Sequence, residues 1–279
     1  MISNLYGASE CDVKTNCRIK YYYDSSGNPY PVQLLYCRDK KIFLPPDFEL
    51  DVPKKITAKR KDKDTEASHC SADNEHSIMR ARKNLYDIIR CNAFTHFITL
   101  TFNGDLVDRE DYTSVVRKFS LWCDNRVRRK DLIYAGVIER HKESNGLHFH
   151  LLGNDVLTLV DSGTVKCKGR KKPIRIATAD RYGIPESDRK TVYNIPEWSY
   201  GFSTALEITG DDKRTKVAGY LKKYLTKDFE KIGGRYYYSG GKLLRPTYKY
   251  VDYEVNENEA DFVFSVGGCC YYGVSLDKE

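Results

Sequence analysis

Leu132 to Gly153 reads LIYAGVIERHKESNGLHFHLLG, and the fold is decided here. Two apolar runs, Leu132–Arg140 and Leu147–Gly153, flank Ser144-Asn145-Gly146. Asn-Gly between such runs is a strong hairpin signal. Alternate residues of a strand share a face, so His148 and His150 project together while Phe149 points into the core. Two imidazoles so placed can chelate one divalent ion; the plainer reading is a pair of hydrogen-bonded or exposed histidines. With Asn145-Gly146 as a two-residue turn, Ser144 faces Leu147, Arg140 faces Leu151 and His141 faces His150. Glu139 then lies two residues along the same face and completes a two-His-one-carboxylate set suited to Mg²⁺ or Mn²⁺. His141 is the alternative ligand, or a partner behind the ligands. A register slip of one residue turns these groups away.

Working outward, Thr95–Phe102 (THFITLTF) has the makeup of a buried strand, ended by Asn103-Gly104. Before it, Ser77–Cys91 has helical periodicity. After it, Asp108–Arg128 is predicted as a helix capped by Asp108, with Tyr112, Val115, Val116, Phe119 and Trp122 in period. Residues 154–196 are mostly polar and read as an insertion. Ser199–Ile208 resumes a strand, Asp211–Phe229 is a helix, and Arg235–Tyr253 holds a short hairpin around Gly240-Gly241, followed by a β-like tail. This order predicts an α+β fold: an antiparallel sheet with helices packed on one face.

The flanks are less regular. Residues 1–50 are rich in Tyr, Cys and Pro and read as short strands or loops, with a turn at Gly27-Asn28-Pro29. Residues 51–68 are a charged linker, more a solvated connector than a DNA-contacting arm. The predicted division is 1–70 (an N-terminal segment of unknown function), 71–255 (the catalytic domain) and 256–279 (a C-terminal tail). The 279 residues are 41% hydrophobic and 30% charged, which excludes wholesale disorder. No apolar run approaches a membrane span and no signal peptide opens the chain, so a cytoplasmic protein is expected. The net charge of +7 suits a polyanionic partner. The nine cysteines are then expected to be reduced; a zinc site from Cys11, Cys17, Cys37 and Cys70 or His69 has irregular spacing, and small buried side chains are the simpler account.

One further motif carries chemistry. Gly219 to Lys227 reads GYLKKYLTK, with Tyr-x-x-Lys twice in tandem. Tyr220 and Tyr224 are four apart, so they share a helix face. Tyrosine is a covalent nucleophile when a cation or a polarised target assists it; alone, the motif reads as an amphipathic helix with half-buried rings.

FITLTFN, then His-hydrophobic-His, then Tyr-x-x-Lys-Tyr, in that order over about residues 77–250, resembles the HUH endonuclease superfamily. Within it the order is similar to the rolling-circle replication initiators. The tandem tyrosines are similar to the microvirus type, and Gly234-Arg235-Tyr236-Tyr237-Tyr238-Ser239 with Leu244-Arg245-Pro246 to the filamentous-phage gene II proteins. The resemblance implies a palm/RRM-like core, with Ile98–Asn103 a central strand leading to a DNA-facing loop. It implies metal ligands His148, His150 and Glu139, nucleophiles Tyr220 and Tyr224, and Lys223 and Lys227 positioning phosphate. Val217-x-x-Tyr220-x-x-Lys223 places Tyr220 slightly ahead as first nucleophile. The implied activity is nicking and joining of single-stranded origin DNA through a 5′-phosphotyrosine, leaving a 3′-OH primer, in a bacterial host cytoplasm. No Gly-x-x-x-x-Gly-Lys-Ser/Thr loop is present, so unwinding falls to a host helicase and synthesis to a host DNA polymerase. Histidines before tyrosines argue against the relaxase branch; residues 1–70 lie outside the resemblance. Two rival readings are a non-catalytic single-stranded nucleic-acid-binding module with an RRM-like sheet and a zinc hydrolase using His148, His150 and Glu139.

Overall fold

The computed structural model describes residues 14–24, 26–45, 70–140, 146–208 and 231–276. In chain order the strands and helices are β1 (Cys17–Tyr23), β2 (Pro29–Cys37), α1 (Cys70–Cys91), β3 (His96–Phe102), α2 (Tyr112–Lys130), β4 (Tyr134–Arg140), β5 (Leu147–Gly153), β6 (Val160–Cys167), β7 (Ile174–Arg175), α3 (Ile176–Arg181), β8 (Arg189–Asn194), β9 (Gly201–Glu207), β10 (Tyr238–Gly240), β11 (Thr247–Val251), β12 (Phe262–Val266) and β13 (Cys269–Ser275). They form two compact units, one of Cys70–Leu244 and one of Met1–His69 with Arg245–Glu279.

In the Cys70–Leu244 unit an antiparallel sheet runs β10-β4-β5-β3-β9-β8-β6-β7. The expected α+β class stands. One face carries Ile98, Leu100 and Phe102 of β3 and Phe149 and Leu151 of β5, packed under Val115, Val116, Phe119 and Trp122 of α2. The Phe119 and Phe149 rings stack at 4.2 Å. Asp111, not Asp108, caps α2, accepting from the Ser114 N–H at 3.0 Å. The Glu197 carbonyl accepts from Trp122 Nε1 and Arg126 Nη2 and ties the chain entering β9 to this helix.

The opposite face is not bare. Phe97, Ala135, Val137 and Leu152 pack against Leu85, Ile88 and Ile89 of α1. Helices therefore take both faces rather than the one expected, because one end of this second face, Phe97, Ala135, Val137 and Leu152, is apolar as well. Residues 154–196, read as a polar insertion, extend the sheet: β6 and β8 pair with one another, and β8 meets β9 at Tyr193↔Ala205. Gly240-Gly241 does not turn a hairpin. β10 pairs with β4, and β11 belongs to the other unit.

That unit is an antiparallel sheet in the order β11-β1-β2-β13-β12. Its core joins Cys17, Ile19, Leu34, Tyr36 and Tyr272. The β1–β2 turn is built by Asp24, whose carboxylate accepts from the N–H of Ser26 and of Asn28, with Gly27 at φ 82°. Lys41 pairs with Asp252 at 2.8 Å and Asp252 also accepts from the Asn16 N–H, so the C-terminal segment is tied to the N-terminal one. The two compact units divide at 244/245, where the sequence suggested a division at 255. The supposed tail is a hairpin, β12–β13, paired to β2, a contact too distant in sequence to leave a local pattern. Cys17 and Cys37 are buried free thiols, and burial pushes the Cys17 thiol up to about 12; Cys11 and His69 lie outside the described residues.

Candidate active site

The histidine strand pairs on one side with β4 and on the other with β3. Across β4, Glu139 stands opposite His148 and Val137 opposite His150. Across β3, Thr101 stands opposite His148 and Thr99 opposite His150. Directly opposed residues of an antiparallel pair share a face. Glu139, His148 and Thr101 thus form one row across the sheet, and Val137, His150 and Thr99 the next. A third row, Ala135, Leu152 and Phe97, packs under α1 together with Val137.

The expected register is corrected. Arg140 faces Leu147, not Leu151, and His150 faces Val137, not His141. Arg140↔Leu147 is the last of the described pairs, and its register is not the one expected for a two-residue turn at Asn145-Gly146. The shift of four residues is even, so Glu139 stays on the histidine face. His141 lies outside the described residues, as do Tyr220, Lys223, Tyr224 and Lys227.

Both imidazoles are held from behind. Thr99 Oγ1 is 3.1 Å from His150 Nδ1 and Thr101 Oγ1 is 2.9 Å from His148 Nδ1. His150 Nε2 lies 3.0 Å from Glu139 Oε2, with the His150 side chain 11% exposed and Glu139 48%. The two imidazoles are nearly parallel, 6.2 Å apart and 13° from coplanar, and Phe97 stacks on the far side of His150 at 5.9 Å. Gly136 permits the close approach of β4: a Cβ there would sit 2.1 Å from the His150 carbonyl oxygen and 2.7 Å from Leu151 Cα.

Among the described residues, no three His, Cys, Asp or Glu side chains stand as a ready metal-holding group. Glu139 and His150 are instead joined directly to one another. Their chemistry nonetheless suits a hard divalent ion. A carboxylate beside two imidazoles is a donor set that Mg²⁺ or Mn²⁺ would accept. Each Nδ1 is occupied by a threonine hydroxyl, so Nε2 is the ring nitrogen that would face an ion. Thr99 and Thr101 escaped the sequence reading; the alternation of Thr in THFITLTF beside a His-x-His strand was the available signal.

Residues 95–229 match the profile of a family described as replication-associated protein, ORF2 or gene II protein. This segment is similar to the replication-associated ORF2/gene II proteins. The ORF2/gene II segment begins at β3 and takes in α2, β4, β5 and β9, so all three rows of the histidine face fall within it. No curated protein and no solved structure shows a significant match to the chain. The match supports a replication-associated role in a rolling-circle context. Among the described residues no helix is long and apolar enough to cross a membrane.

Proposed function

We propose that the chain initiates rolling-circle replication by nicking and rejoining single-stranded DNA at an origin, with Tyr220 and Tyr224 as nucleophiles. The observation carrying this reading is the row of Glu139 and His148 beside His150, each imidazole backed by a threonine, within an ORF2/gene II segment.

His148, His150 and Glu139 would hold Mg²⁺ or Mn²⁺. When bound, the ion supplies Lewis-acid polarisation of a phosphate oxygen. The chain's residues do the rest. A Tyr220 or Tyr224 oxygen attacks phosphorus in line, forming a phosphotyrosine at the 5′ side. The bond from phosphorus to the 3′ oxygen breaks, and that oxygen leaves as a 3′-OH, taking up a proton as the phenol loses one. Lys223 and Lys227 steady the phosphate and favour the phenolate. The bond energy is kept in the phosphotyrosine, and a second attack by a 3′-OH rejoins the strand. The free 3′-OH primes a host polymerase while a host helicase opens the duplex.

The test is incubation with single-stranded origin-bearing DNA and Mn²⁺, followed by denaturing gels and peptide mapping. A nucleotide remnant on Tyr220 or Tyr224, lost with chelator and with the double change Tyr220→Phe/Tyr224→Phe, is expected. Cleavage with no remnant on either tyrosine overturns the tyrosine mechanism. Binding without cleavage under all metals tried returns the chain to a non-catalytic single-strand binder.

A further inference from the structure

The histidine row does not end at Thr101. On the other side of β3, Phe202 of β9 stands directly opposite Thr101. Glu139, His148, Thr101 and Phe202 are therefore four consecutive positions across β4, β5, β3 and β9, on one face. At about 4.8 Å per strand, Phe202 lies about 10 Å from His148. Its ring is 69% exposed, the most exposed of the large hydrophobic side chains in the described residues. An exposed strand position more often carries a polar residue than such a ring.

The position is held, not loose. Gly201 precedes it, opposite Phe102, and a Cβ on Gly201 would come within 2.3 Å of the Thr101 carbonyl oxygen and 2.4 Å of the Asn103 nitrogen. Only glycine lets β9 lie this close to β3. Asn103 N–H donates to the Tyr200 carbonyl, and Trp198 Nε1 donates to the Thr101 carbonyl, fixing the chain that enters β9 just before Phe202.

We propose that Phe202 stacks on a nucleobase next to the phosphate held at the histidine row, and so positions the strand for cleavage. The inference rests on the function proposed above. A lone aromatic face beside the hydroxyls of Thr101 and Thr204 suits a base, which presents one π face and polar edges. A protein partner would call for a contiguous apolar patch. Stacking is tolerant of base identity, so Phe202 sets placement rather than sequence choice. Phe202 is a positioning residue, and the chemistry stays with the tyrosines and the histidine row.

The experiment measures anisotropy of a labelled single-stranded oligonucleotide with the full chain in chelator, for the parent, Phe202→Ala, Phe202→Leu and Phe202→Trp. Alanine and leucine are expected to weaken binding by about 5- to 100-fold. Tryptophan is expected to bind as the parent does, with indole fluorescence quenched by DNA. Thermal unfolding should be unchanged for all three, since the ring is mostly in solvent. Alanine binding within about twofold of the parent, or a marked fall in melting temperature, overturns the inference. Parent binding and Phe202 dependence without any covalent adduct would sink the nicking mechanism while leaving the stacking intact. No binding by the parent would sink both.

Discussion

Thr101 and His148 stand opposite one another on neighbouring strands, the hydroxyl 2.9 Å from Nδ1, and Thr99 repeats the relationship with His150. Valine at either position keeps the β-branched shape and removes only the hydroxyl. Loss of such support behind a ligand typically costs about 10- to 100-fold in metal affinity. Thr101→Val and Thr99→Val are expected to raise the Mn²⁺ concentration needed for half-maximal cleavage within that range, with melting temperatures little changed. Unaltered Mn²⁺ titrations would separate the threonines from the site.

Gly136 is the tightest point of the β4–β5 contact. A methyl there meets backbone, which cannot rotate aside. Gly136→Ala is expected to destabilise by about 3 kcal/mol and to disturb the Glu139–His148 pairing. Denaturant unfolding of the variant measures the first effect. Stability equal to the parent would mean β4 can draw back from β5.

Glu197 gives a pH dependence whose sign can be worked out. Burial pushes its carboxyl up, but the Lys130 ammonium and Thr158 outweigh this and hold it below its usual range. The unfolded chain then binds the proton first on acidification, so the contribution is full above the unfolded carboxyl value. It is lost as pH falls through the folded value. Glu197→Gln should therefore cost stability at pH 7 and nothing at the acid end, as read from unfolding curves from pH 7 to about 2.5. A constant difference across that range would contradict the assignment.

Removing residues 1–69 alone takes β1 and β2 out of the five-stranded sheet. It leaves β11 and the β12–β13 hairpin with open edges. Such edges aggregate. Removing 1–69 together with 245–279 is expected to give a monodisperse Cys70–Leu244 protein, and the single truncation is not. Gel filtration decides it, and a monomeric single truncation would show that the strands of 245–279 stand without β1 and β2.

Much of this was legible locally. β5 runs over the residues its composition indicated, and the face shared by Glu139, His148 and His150 followed from a period of two. The hairpin register did not, because the polar stretch between Arg140 and Leu147 allows more than one pairing of the two strands. β6 and β8 were hidden by their exposure: a peripheral strand needs few apolar residues, so its pattern resembles a loop. The pairing of β11 with β1 and of β13 with β2 joins residues more than two hundred positions apart, and no window of sequence contains it. Tyr220 and Tyr224 fall outside the described residues, so their placement against the histidine row rests on the proposed function.

The pairing of Cys17 with Val251 and of Tyr36 with Tyr272 also imposes a timetable on the ribosome. The β1–β2 hairpin emerges first, and a two-stranded hairpin alone is marginally stable in water. Its flanking strands are made last, which at bacterial elongation rates is a delay of roughly 10–50 s. Cys70–Leu244, contiguous in the chain, can fold within that interval. For the whole of it both edges of the nascent hairpin are bare, and the tyrosines and valine of Pro29–Cys37 are open to strangers. The vulnerable period in the life of this protein therefore comes during synthesis, and slowing translation of its last forty or so codons would lengthen it.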